Sequence, residues 1–334
     1  MKRPFNFNLL LALGGGAILA LLLYRLGFSA VAQQLWLVGW GWLFIIGQEI
    51  LPILANTGGW RYAFPAPERT VKFWPLLKMR LAGDSANYLV PSATVGGEIL
   101  RISLLRGSTS VPVGAASVTL AKFTQFLGQA LFIALGLLLA APFAPLKPGL
   151  LPWLWAVLAG CLVFMGLIFI GLRRGLFGGM LSVLVRWLPA RLHHYLPVDK
   201  VAELDQHIGD FLRGHRRAFW ASAGLFGLGW ALGALEVFLI FHFLGLPVDL
   251  PTALTVETLS VFIDAVLFFV PGKLGTQEGG KVLIFLSLGY PAVAGLSFGI
   301  IRRVRELTWA GVGVACLASF RRKKSVGGEP GTFL

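Results

Sequence analysis

Eight carboxylates fall in or beside long apolar runs of a chain that is 56% apolar and only 13% charged: Glu49, Asp84, Glu98, Glu236, Glu257, Asp264, Glu278 and Glu306. Six bases share those segments: Arg101, Lys122, Lys281, Arg302, Arg303 and Arg305. An ionised group at the centre of a membrane helix costs about 2.5–3.5 kcal/mol on insertion scales, so each one needs a partner or a wet cavity. The simplest use is internal pairing, for example Arg302 with Glu306 one turn further on. Pairing of that kind fits the whole set less well, because Arg302, Arg303 and Arg305 fan over more than half of the helix circumference. No single acid on one neighbouring helix can satisfy all three. A cluster of buried guanidinium groups suits a phosphate or another anionic headgroup, which arginine grips bidentately. Flanking acids would keep such a site from permanent occupation, or would carry protons. Glu98 and Glu278 stand beside glycines and are the first candidates for gating or proton coupling. Asn87, near Asp84, adds a neutral donor and acceptor.

Signatures of catalysis are scarce. The chain has no GxSxG, HExxH, P-loop or dinucleotide fingerprint. Glu257 and Asp264, seven apart on one helix face, could do acid/base work, but no nucleophile or base stands at a convincing spacing. His193 and His194 are adjacent, share no helix face and have no cysteine nearby, so no metal site is expected there. No cofactor is expected, and the chain is not expected to be an enzyme.

The charged positions recur along the chain. At an offset of 180 residues, without gaps, Asp84, Pro91 and Glu98 match Asp264, Pro271 and Glu278. Arg101 matches Lys281, Ser117 matches Ser297, and Lys122 matches Arg302. The expected repeat copies are therefore about 84–127 and 264–307. Pro91, Gly96 and Gly97 in one copy, with Pro271, Gly272 and Gly275 in the other, are expected to break their helices. Non-helical backbone at membrane depth is tolerated only where protein or a water-filled cavity satisfies it, which implies a cavity.

The elements that hold these residues must be membrane helices. An ordinary soluble domain carries about a quarter charged residues, and hydrophobicity alone excludes disorder. Cys161 and Cys316, the only cysteines, lie in apolar runs and form no disulfide framework. A helix needs roughly 20 apolar residues to cross, which gives spans at Phe5–Tyr24, Val38–Asn56, Val111–Ala140, Leu151–Leu172, Phe219–Leu244, Thr252–Val270 and Pro291–Phe320. Leu76–Arg106 and Gly272–Tyr290 are apolar but interrupted. Lys2 and Arg3 precede the first span, but no cleavage site follows it, so it is read as retained.

The net charge of +14 reads as basic loops rather than as affinity for nucleic acid. Thr57–Arg80 carries Arg61, Arg69, Lys72, Lys78 and Arg80, residues 173–217 carry eight bases, and Arg321–Lys324 add four. The positive-inside rule then puts both termini and the two long basic loops in the cytoplasm. Parity requires an eighth crossing, supplied by Gly272–Tyr290, with Val270–Pro271–Gly272 as a hairpin tip. Lys122 and Arg302 then lie in spans of opposite direction, so the copies are inverted, the usual build of secondary transporters with a midplane site. Met180–Leu188 reads either as a helix in the headgroup plane or as part of a small cytoplasmic helical hairpin.

Three blocks carry a family resemblance: GDSANYLVPSATVGGEILRISLLRG (83–107), VPGKLGTQEGG (270–280) and IIRRVRELTWAGVG (300–313). With them the chain resembles, over almost its whole length, the flippase-like membrane domain family named after the transmembrane region of lysylphosphatidylglycerol synthase. Its length and its EGG and RREL signatures are most similar to the hopanoid-biosynthesis-associated branch. The full-length synthase carries a soluble aminoacyl-transferase domain; only about fourteen residues follow the last span here, so none is expected. The resemblance implies movement of a lipid or lipid-linked molecule between leaflets of a bacterial inner membrane.

The expectation is therefore an all-α polytopic membrane protein with about seven to eight transmembrane helices plus re-entrant or broken ones. Residues 1–320 would form one transmembrane domain and 321–334 a cytoplasmic basic tail. The expected activity is that of a lipid flippase. Its substrate site would comprise Asp84, Asn87, Glu98, Arg101, Lys122, Asp264, Glu278, Arg302, Arg303 and Glu306. The expected partners are a membrane lipid with an anionic or lipid-linked headgroup, and a second copy of the chain or a lipid-synthesis enzyme. Two rival functions remain: an intramembrane enzyme acting on a lipid or polyprenyl phosphate, and a non-transporting partner of a lipid-synthesis complex.

Overall fold

The computed structural model describes residues 7–65, 71–89, 95–140, 150–187, 198–266 and 275–326. Among these the protein is all helix, as an apolar chain must be when no water reaches its backbone: a helix pairs every N–H and C=O within itself. The first group of helices is α1 (Phe7–Leu26), α2 (Phe28–Leu37), α3 (Gly41–Gln48) and α4 (Ile50–Tyr62). Next come α5 (Phe73–Leu89), α6 (Val95–Leu105), α7 (Val111–Ala140), α8 (Leu150–Arg173), α9 (Leu176–Trp187) and α10 (Val198–Gly214). The last are α11 (Arg216–Ala231), α12 (Gly233–Phe243), α13 (Leu250–Val266), α14 (Thr276–Ser287) and α15 (Ala292–Val326).

Among the described residues, three helical stretches are long and apolar enough to cross a membrane by themselves: Val111–Leu139, Trp155–Arg173 and Arg216–Phe243. A fourth forms if α1 and α2, bent by 88° at Gly27, count as one broken span. Gly27 makes that bend with φ +88°, a conformation that disfavours any side chain. The remaining expected spans are shorter or interrupted. Residues Val38–Asn56 become α3 and α4 with a turn at Glu49, and α15 is 35 residues long but carries the three arginines. α8 shows apolar side chains to the outside on nearly every turn, with Val163, Phe164 and Leu167 all exposed, as a lipid-facing helix does.

Two apolar cores organise the bundle. One gathers Ile45, Phe132, Val237, Phe241, Val256, Phe285, Phe298 and Ile301, from α3, α7 and α12 to α15. The other gathers Trp60, Phe64, Leu76, Leu120, Phe123, Phe211, Phe219 and Phe226, from α4, α5, α7, α10 and α11. Helix α5 packs on α6 and α15, while α13 packs on α14 and α7. The long basic connection holds the paired helices α9 and α10, and α10 also packs on α7 and α8. Asp205 of α10 accepts hydrogen bonds from the N–H groups of Phe177 and Gly178, at 3.2 and 2.6 Å, at the start of α9. A carboxylate there meets the positive end of the helix dipole.

Two expectations require correction. The basic stretch at Thr57–Arg80 is not one loop: α4 runs to Tyr62, α5 starts at Phe73, and Arg80 is buried inside α5. Gly96 and Gly97 are helical, within the first turn of α6, and do not break it. Gly97 instead supplies the missing Cβ where α6 crosses α5, since a side-chain carbon there would strike the Gly83 carbonyl and Asn87. Gly275 does stand at a helix start, with φ +71° just before α14. Val90, Pro91, His193, His194, Val270, Pro271 and Gly272 lie outside the described residues.

Candidate functional site

The charges of the first copy converge where α5, α6 and α7 meet. Arg101 of α6 lies across Gly83 of α5, where any side chain would collide with its guanidinium arm. From there it reaches Asp84 at 2.5 Å and Glu98 at 2.7 Å. Lys122 of α7 donates to Glu98 at 2.9 Å. Asn87 binds from both ends: its amide donates to Glu98 at 3.4 Å and its carbonyl accepts the Gly97 N–H at 2.7 Å. Arg80, one turn before Asp84, completes the group at 3.5 Å. The arginines rest on aromatic faces of the second core, Arg101 over Trp60 and Arg80 over Phe226, where the ring quadrupole favours a cation.

The second group joins α13, α14 and α15. Lys281, fully buried, reaches Asp264 at 3.2 Å. Gln277 bridges Asp264 at 3.5 Å and Glu306 at 3.3 Å. Arg303 donates two hydrogen bonds to Glu278, at 3.0 and 2.8 Å. The other carboxylate oxygen of Glu278 accepts the Gly275 N–H at 2.8 Å. Arg303 also donates to the Tyr88 hydroxyl at 3.2 Å, which ties this group to α5 and hence to the first.

A third group lies on another face of α15. Arg302 pairs with Glu257 of α13 and, at 3.1 Å, with Glu236 of α12. Arg305 pairs with Glu49, in the α3–α4 turn, at 2.5 Å and with Glu236 at 2.8 Å. Arg302 lies over the Phe298 ring, 4.7 Å from its centroid.

All ten expected site residues thus lie in these three groups, though not in one of them. Asp84, Asn87, Glu98, Arg101 and Lys122 come together, as do Asp264, Glu278, Arg303 and Glu306; Arg302 turns away from both. The pair Arg302–Glu306, the example of simple internal pairing, does not form. Glu306 sits between Arg303 and Arg305, at 3.7 and 3.8 Å, while Arg302 faces α12 and α13. Nor are the three arginines a bare cationic cluster. Acids from four other places in the chain meet them, which one-dimensional spacing does not display. Arg80, Tyr88 and Gln277 are members that the sequence reading did not single out. Arg80 looked like loop charge, and the other two are uncharged; one signal was available, since Tyr88 neighbours Asn87 and Gln277 neighbours Glu278.

Exposure differs within the groups, with Glu49 and Glu306 each 22% exposed. The Asp84 side chain is 45% exposed and that of Lys122 26%, whereas Arg101, Glu278 and Lys281 are buried. The first group therefore opens outward at Asp84 and Lys122.

A sequence model of the family described as the lysylphosphatidylglycerol synthase TM region matches residues 8–314. No curated protein and no solved structure matches the chain.

Proposed function

Matched over most of its length, the chain belongs to the lysylphosphatidylglycerol synthase transmembrane-region family, and from that premise we propose a flippase-like transporter that moves an anionic or lipid-linked lipid between leaflets. Membership by itself associates the chain with membrane-lipid function. One observation carries the finer reading: the otherwise buried network of α5, α6 and α7 opens at Asp84 and Lys122. A lipid phosphate entering there would replace Asp84 and Glu98 as partner of Arg101 and Lys122, one phosphate standing in for two carboxylates while leaving neither base unpaired. Arg101 offers the planar fork that grips phosphate bidentately, and Lys122 adds a mobile point charge.

The reading takes residues 84–127 and 264–307 as inverted copies within one transmembrane domain. The crossed packing supports it: α5 meets α15 and α13 meets α7, which is how two copies related by a two-fold axis would interlock. The contact of Tyr88 with Arg303 then joins the copies and, with Glu278, serves as their gate. The reading contains no bond-making step. Its setting is hopanoid or phospholipid metabolism in the inner membrane of a bacterium, both termini cytoplasmic, with a second copy or a lipid-synthesis enzyme as protein partner.

The test is leaflet transfer of fluorescent phosphatidylglycerol in vesicles holding the purified protein, read with a membrane-impermeant quencher. A charge-assisted hydrogen bond is worth about 1.5–3 kcal/mol, so Lys122→Gln should slow transfer about ten- to hundredfold. Arg303→Ala and Glu278→Gln should abolish it while leaving folded protein in the membrane. Wild-type transfer no faster than in empty vesicles would refute the reading, and a lipid product of altered mass would replace it with an enzyme.

A further inference from the structure

The third charge group plays no part in the transport scheme above, and its charges do not balance. Glu49, Glu236 and Glu257 supply three carboxylates against the two guanidinium groups of Arg302 and Arg305. Glu306 also faces Arg305. The innermost member is Glu236, 1% exposed on α12. One of its oxygens serves both arginines, and the other, Oε1, is buried with no hydrogen-bond partner among the described residues. A buried carboxylate whose second oxygen meets no donor, in a group already one negative charge in excess, is the arrangement that a low-dielectric interior tolerates least.

We infer that Glu236 is a proton-binding site, occupied at neutral pH, in which one proton on Oε1 makes the group of Glu49, Glu236, Glu257, Arg302 and Arg305 electrically neutral. The groups facing Glu236 are Glu49 from the α3–α4 turn, Glu257 from α13, and Arg302, Arg305 and Glu306 from α15. The acids on the outer side, Glu49 and Glu306, are each 22% exposed and form the way in for a proton from water. Its partners Arg302 and Arg305 stand on α15, the helix that also carries Arg303. Loss of the proton would tighten the hold of Glu236 on Arg302 and Arg305 and bias the position of α15, and with it the contact of Arg303 with Tyr88 and Glu278. Coupling of this kind rests on the transport reading; the proton site does not.

Infrared difference spectroscopy of the purified full-length protein tests the site directly. The wild type should show the carbonyl stretch of a protonated carboxyl group at neutral pH, and Glu236→Gln should lack that band. An absent band, or one that survives the substitution, overturns the inference. So does a band that sodium ions remove at constant pH, since the occupant would then be a metal cation. An amide reproduces the shape and neutrality of a protonated carboxyl group, so Glu236→Gln should also fold as well as the wild type; a variant that fails to fold contradicts the proposal. In the vesicle assay, wild-type transfer should change with pH, and Glu236→Gln should flatten that dependence at least severalfold. If the band is present and assigned but no transfer occurs at any pH, the proton site stands and the transport reading falls.

Discussion

Arg302 and Arg303 are neighbours in the chain, yet roughly 100° of helical rotation sends them to different partners. Arg302 goes to Glu236 and Glu257, and Arg303 to Glu278 and Tyr88. In the first half, Lys122 holds Glu98. In the second it is Arg303, not the offset-matched Arg302, that holds Glu278. The positions matching Glu236 and Glu257 are Asn56 and Leu77, so the acids that draw Arg302 aside have no counterpart. Burial sets what each residue should be worth. Arg302→Met leaves the buried Glu257 carboxylate without its cation and should cost about 3–5 kcal/mol. Asp84→Asn, at a half-exposed position, should cost less than about 1 kcal/mol. Thermal unfolding in detergent checks the order, and a more damaging Asp84→Asn would contradict the burial argument.

At the scale of elements, the site depends on how closely helices approach. Gly83 and Gly97 let α5 and α6 cross without an intervening Cβ, so that Arg101 can lie over α5 and reach Asp84. Gly97→Ala should push the helices apart at a cost of about 1–3 kcal/mol, as overpacking does. It should also slow lipid transfer, although alanine is the better helix former; unchanged stability and transfer would refute the packing role. The start of α13 offers a pH-dependent case outside the spans. The Thr252 hydroxyl, and then its N–H at 2.8 Å, hold the Asp249 carboxyl below its ordinary value. A lowered value means that the cap contributes stability above the ordinary aspartate range and loses it as pH falls through the folded-state value. Asp249→Ala should therefore lower the unfolding midpoint at neutral pH, by about 1 kcal/mol of stability. In acid the difference from wild type should vanish; a difference that persists there would rule out the cap.

At the scale of the whole molecule, the orientation expected from the basic loops is open to test. Arg213 and Asp249 flank one candidate span, Arg216–Phe243, and both are exposed. A cysteine at position 213 should react with an impermeant thiol reagent only from the cytoplasmic side, and one at 249 only from the other. Labelling of both from one side would contradict the crossing. Much of this molecule was legible in one dimension. Apolar length located α7 with the bounds Val111–Ala140 and α8 within a residue or two, because a helix in lipid must be continuous and apolar. Rarity of charge in such a composition marked the acids and bases of the three groups, and the blocks around Gly83, Val270 and Ile300 pointed to the family. Partner choice was not legible. Glu49 meets Arg305 across 256 residues and Tyr88 meets Arg303 across 215, and Arg80 passed for loop charge until α5 closed around it. Composition decides that a charge inside the membrane must be neutralised, since the cost of burying it belongs to the residue itself. Which group neutralises it depends on which helix faces cross, and only the packed bundle brings those faces together.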